Sequence, residues 1–220
     1  MEKEVSWLKI YLSRKNGFLI VLITLIVFSQ TVRQIWGEDI SNYKKCLENP
    51  DTEVAAECLI SIGNVLGHAG KYREAEQAFE EAIKISPKNS IKAHAYSSLG
   101  NALGRQEKYS EAIVSLQKAV KLNPELGSAW GDLGVAYAQI GKFDNAIQAF
   151  KRAISATDIG EIIDNSYLNL TYIYLLKMDA FNTKKNYEIL QKRNPILAKK
   201  FSSELEEDPK LLKRFQSFTK

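Results

Sequence analysis

Few residues in this 220-residue chain could do chemistry. Cys46 and Cys58 are the only thiols, and His68 and His94 the only imidazoles. No CxxC pair is present, and His68 is the histidine nearest the cysteines, so the spacing offers no metal site. Neither histidine falls in an HExxH, GxSxG or Gly-rich phosphate motif. The cysteines have no partner set for nucleophilic catalysis. What remains to them is oxidation. They flank the break Asn49–Pro50–Asp51, each six residues from Thr52, and in an antiparallel hairpin they would lie roughly opposite each other. A disulfide Cys46–Cys58 is one reading and agrees with export. Two small buried residues are the other. No catalytic residue, cofactor or metal site is expected.

The elements that would position these residues recur along the chain. Between Ala93 and Pro124, Tyr96, Leu99, Gly100 and Leu103 lie on one side of a first helical pattern. Ala112, Leu116 and Ala119 lie on one side of a second. Apolar residues at three- and four-residue steps make two amphipathic helices. Gly100 and Ala112 are small where the helices approach, and Pro124 cannot continue the second helix. Residues 56–87 place Leu59, Ile62, Gly63, Leu66, Tyr72, Ala75, Phe79 and Ala82 at the matching offsets. Residues 127–158 place Trp130, Leu133, Gly134, Tyr137, Phe143, Ala146, Phe150 and Ala153 there. A looser copy, 164–195, has Thr171 for the small glycine and Thr183 and Leu190 for the two alanines. The starts step by 37, 34 and 37 residues, so two steps carry three extra residues, in a longer turn or an added helical turn.

This W/L/Y-x2-L-G-x2-Y/L pattern, followed by Ala, Phe/Leu, Ala and Pro, resembles the tetratricopeptide repeat family. The resemblance covers 56–195, about two-thirds of the chain. It implies an all-α fold: a right-handed superhelix of antiparallel helix pairs, with one continuous core. It also implies that the first helix of each repeat lines a concave groove for a protein or peptide. Carried onto this sequence, the groove residues are Asn64, His68, His94, Asn101, Arg105, Gln139 and Tyr172. Asn64 and Asn101 hold equivalent positions and could each hydrogen-bond a partner backbone. Some family members clamp a pair of carboxylates with Lys, Asn and Arg. Here Ile60, Ser128 and Asp132 stand where cations are needed, which argues against that role.

The flanks suggest where the array works. Residues 1–16 carry Lys3, Lys9, Arg14 and Lys15, and Phe18–Phe28 is apolar except for Thr24. Eleven residues suit a secretory signal. Extended to 17–36 the run reaches membrane length, with Trp36 suited to the interface. It is therefore either an uncleaved anchor or a cleaved signal. In both cases the N-terminus is expected in the cytoplasm and the repeats in the periplasm or lumen; cleavage would leave a periplasmic or secreted protein. Residues 37–55 read as a lead-in helix and turn. Residues 196–220, with Leu197, Phe201, Leu205, Leu211, Leu212, Phe215 and Phe218, read as capping helices, or as a surface for a partner or membrane. The net charge of +4 is modest and mixed in sign, and no nucleic acid is expected.

The expected function is a non-enzymatic, membrane-anchored scaffold that assists assembly of a larger complex. Photosynthetic, pilus, secretion and cytochrome-maturation types stay unresolved. The alternative is a soluble exported binding protein for a peptide or glycan.

Overall fold

The computed structural model describes residues 45–219, all helix, turn and loop. The basic flank 1–16, the apolar run 17–36 expected as a helix, and the start of the lead-in fall outside the described residues. Residues 45–47 are helical and belong to a separate N-terminal unit. Glu48–Lys220 forms the other unit. Neither Cys46 nor Cys58 is a free thiol; both are disulfide-bonded.

Eight helices form four pairs. They are α1 (Thr52–His68) with α2 (Tyr72–Ile85), α3 (Asn89–Arg105) with α4 (Tyr109–Leu122), α5 (Gly127–Gln139) with α6 (Phe143–Ser155), and α7 (Gly160–Leu176) with α8 (Ala180–Arg193). Each pair is an antiparallel hairpin, and the pairs stack as a right-handed superhelical solenoid. Asp51 caps α1, its carboxylate accepting from the N–H groups of Glu53 (2.9 Å) and Val54 (3.3 Å). The extra length of the long steps is helical: α3 and α7 have 17 residues against 13 in α5, four more, and one residue is saved elsewhere in each step.

The turn inside each pair repeats one device. Gly70, Glu107, Gly141 and Met178 hold φ of 77°, 63°, 74° and 60°. The following N–H then bonds back across the turn, as from Lys71 to Leu66 O (2.9 Å) and from Asp179 to Tyr174 O (2.9 Å). This is the left-handed closure that satisfies the last carbonyls of a helix. Two of the four positions are not glycine, so two turns carry backbone strain.

Close approach within a pair depends on a missing side chain. A Cβ at Gly63 would lie 2.5 Å from the Phe79 ring, at Gly100 2.5 Å from Leu116 Cγ, and at Gly134 2.7 Å from the Phe150 ring. The fourth pair has Thr171 at that place. Thr171 and Thr183 are fully buried, and each hydroxyl donates to a carbonyl four residues earlier, Tyr167 O (2.8 Å) and Asp179 O (2.7 Å). Their polar atoms are thereby satisfied inside their own helices.

Among the described residues, three apolar clusters stand out. One runs from Leu66 and Phe79 through Leu103 and Leu116 to Leu133 and Ala149. A second joins Ile147 and Phe150 to Leu170, Ile173 and Tyr174. The third is the C-terminal cap. Asn194 caps α9 (Pro195–Glu204), and α10 (Pro209–Thr219) follows a short 3-10 turn. Phe201, Leu205, Leu211 and Phe215 close over Leu175, with Tyr187 edge-on to Phe215 at 4.8 Å. The cap thus covers Leu175, while Tyr172 and Leu176 on the same helix stay exposed.

Candidate inner-face binding site

Each first helix contacts the first helix of the next pair, α1 with α3, α3 with α5 and α5 with α7. Their shared face forms the inner wall, and two adjoining recesses open on it. One, of about 170 Å³, is lined by Asn64 and His68 from α1, Ser98, Asn101 and Arg105 from α3, and Asp132 from α5. The other, of about 320 Å³, is lined by Asn101, Arg105, Asp132, Val135 and Gln139. Of the expected groove residues, Asn64, His68, Asn101, Arg105 and Gln139 therefore line this composite site. His94 and Tyr172 are exposed on α3 and α7 and line neither recess.

Three side chains form a relay across the shared wall. Arg105 Nε donates to Asn101 Oδ1 (3.2 Å), and Asn101 Nδ2 donates to Asp132 Oδ2 (3.1 Å). The two ends of the Asn101 amide are thus already engaged. Asn64, at the equivalent position one repeat earlier, makes no such contact among the described residues. Asn101 serves the relay, and its second N–H and second oxygen lone pair remain for another partner. Burial raises the Asp132 carboxyl above its ordinary value, opposed by the Asn101 hydrogen bond and the charge of Arg105.

Asp132, which the sequence already sets at a clamp position, lines both recesses, three residues before Val135 on α5. What the sequence did not show is its hydrogen bond to Asn101. The presence of Asp132 also works against a carboxylate clamp, because an incoming carboxylate would meet like charge.

The two recesses present hydrogen-bonding side chains. The guanidinium fork beyond Arg105 Nε, the free Asn64 amide and Gln139 offer donors and acceptors of the kind an extended peptide backbone needs. Among the described residues no group of His, Cys, Asp and Glu could hold a metal ion. No described helix is long and apolar enough to cross a membrane.

Comparison with known proteins agrees with this architecture. Two sequence profiles described as tetratricopeptide repeat match residues 62–125 and 98–160. No curated protein sequence matches the chain. Among solved structures, MamA superposes with a TM-score of 0.61 at 25% identity, covering 76% of this chain and 95% of that one. YrrB, described as a TPR protein with an unusual peptide-binding site, gives 0.57 at 24% identity over 76% and 83%. PilF of Pseudomonas aeruginosa gives 0.62 at 17% identity over 76% of each chain.

Proposed function

Because the chain belongs to the tetratricopeptide repeat family, we propose that it is a protein-interaction scaffold, without catalysis of its own, whose inner face holds an extended segment of a partner protein. Tetratricopeptide arrays serve as such scaffolds. The observation that carries the reading is the convergence of α1, α3 and α5 on the two recesses, with Arg105, Asn64 and Gln139 left to meet a peptide backbone. The run 17–36 anchors the protein in a membrane, with the repeats on the periplasmic or lumenal side. There they assist assembly of a larger complex. The basic flank before the apolar run and the absence of free thiols support that side of the membrane.

A photo-crosslinker at Asn64 or Gln139, in the cells that make the protein, tests the groove. A discrete protein adduct is expected there, and no such adduct from Glu81 on α2. Adducts of equal yield at all three positions would refute the assignment. Intact mass tests the anchor. A full-length chain in the membrane fraction supports it, and a soluble chain starting near Gln30 replaces it with the cleaved, exported binding protein.

A further inference from the structure

The second helices leave a different kind of site. Consecutive second helices stand further apart than consecutive first helices, so grooves open between them on the outer face. One, of about 860 Å³, lies between α4 and α6. Its floor is Trp130, Leu133 and Tyr137 from α5, and its rim carries Lys121, Lys151 and Arg152. No carboxylate lines it, and among the described residues none of the three cations has an ion-pair partner. The polar atoms of the floor are already satisfied: the Trp130 indole N–H donates to Pro124 O (2.8 Å), and Tyr137 Oη accepts from Gln117 (2.8 Å). What the floor offers a ligand is apolar ring surface.

The groove one repeat earlier, between α2 and α4, has the same construction and the opposite charge. Tyr96, Leu99 and Leu103 replace the floor, and Glu76, Glu80 and Glu111 stand on the rim with Lys118. There one carboxylate is paired within the chain, Glu76 with Lys108 (3.3 Å), and Lys118 lies 5.2 Å from the Tyr96 ring centroid. By repeat register, Glu80 corresponds to Gln117 and Glu111 to Asn145. In the α4–α6 groove both carboxylates have become amides, while Lys118 has its counterpart in Arg152.

We propose that the α4–α6 groove is a second binding site, independent of the inner face, for an acidic peptide segment carrying an aromatic or leucine side chain. The apolar side chain packs on the partly exposed rings of Trp130 and Tyr137, and flanking Asp or Glu residues pair with Lys121, Lys151 and Arg152. Unpaired cations around an aromatic floor are what such a segment complements. Three cations are too few for the phosphate track that a nucleic acid requires. The protein can therefore hold two partner segments at once, one on each face.

The test is selection from a displayed library of random dodecapeptides against the full chain in mild detergent. The sequences recovered are expected to hold Asp or Glu around an aromatic or leucine. Their affinity is expected to fall about tenfold or more in Lys121→Glu/Lys151→Glu/Arg152→Glu, and to fall with added salt. Lys151→Gln/Arg152→Gln, which only removes charge at exposed positions, should give an intermediate loss with unchanged helicity. Asn64→Ala/Arg105→Ala should leave these peptides bound as tightly as before. Recovery of neutral or basic sequences overturns the proposal. So does equal affinity for the charge-reversed variant, or loss on the inner-face variant instead. Displacement of the acidic peptides from this groove by anionic lipid vesicles, at lower charge concentration, would reassign it to a membrane surface.

Discussion

Two glycines on α5 separate helix propensity from packing. A Cβ at Gly134 would sit 2.7–2.8 Å from three atoms of the Phe150 ring, whereas one at Gly131 would meet nothing within 4 Å. Both residues are helical, and Gly→Ala in a helix gains about 0.5–1 kcal/mol from propensity. Ordinary carbon contacts lie at about 3.5–4.0 Å, so Gly134→Ala forces an overlap of about 1 Å against a nearly fully buried ring. Overpacking of this kind costs about 1–3 kcal/mol. Propensity cancels between the two variants, so Gly134→Ala should be less stable than Gly131→Ala by about 1–3 kcal/mol. In a folded unit of this size that is a gap of about 2–12 °C in Tm. Urea and thermal unfolding followed by helicity and by Trp130 fluorescence would measure it, with agreement of the two probes as the check on two-state behaviour. Phe150→Leu in the Gly134→Ala background should recover part of the loss. If Gly134→Ala were as stable as Gly131→Ala, the close-approach explanation of the small position would be wrong for every repeat.

Glu107→Gly should stabilise the protein by about 1 kcal/mol in a urea melt, because it removes a side chain from a left-handed turn; Gly70→Ala should do the reverse. Asp132 ionises at higher pH in the folded chain than in the unfolded one. The folded state therefore binds more protons, and this residue's contribution to stability falls as pH rises from about 3.8, its ordinary value, through the raised one. Asp132→Asn should remove that decline, so its Tm should gain on the wild type between pH 3 and pH 6. Phe215→Ala should cost the cap about 3–5 kcal/mol, since the ring is buried against Tyr187 and Phe201. Limited proteolysis should then cut α9–α10 while the first three pairs stay intact.

The fold was legible because its constraint is periodic. Gly63 against Phe79, Gly100 against Leu116 and Gly134 against Phe150 are one contact written three times, and a repeated contact leaves a repeated pattern. Tolerance of Thr171 and Thr183 was not visible. It depends on hydroxyls turning back to their own helix carbonyls, a matter of rotamer rather than of sequence spacing. The binding surfaces were only half legible. Membership of a first helix placed Asn64, Asn101 and Arg105 on one wall. The relay to Asp132 spans 31 residues and has no counterpart in the other repeats, so no period announces it. His94 and Tyr172 share the register of the groove, but the recesses end before reaching them. The outer groove left still less trace, since exposed positions are free of the burial rule that makes core positions readable.

The separation of these apolar clusters bears on how the molecule would come apart. Between them the inner recesses draw on α1, α3 and α5, and these helices share the first cluster. Leu175 and the cap form a separate patch at the other end. In an array where each repeat leans chiefly on its neighbours, stability is set locally and opening can begin at one end. Amide hydrogens of α8 to α10 should therefore exchange ahead of those in α3 and α5. A partner seated on the inner face would slow exchange in the first three pairs and leave the C-terminal end fraying, so the protein could keep its grip while that end opened and closed.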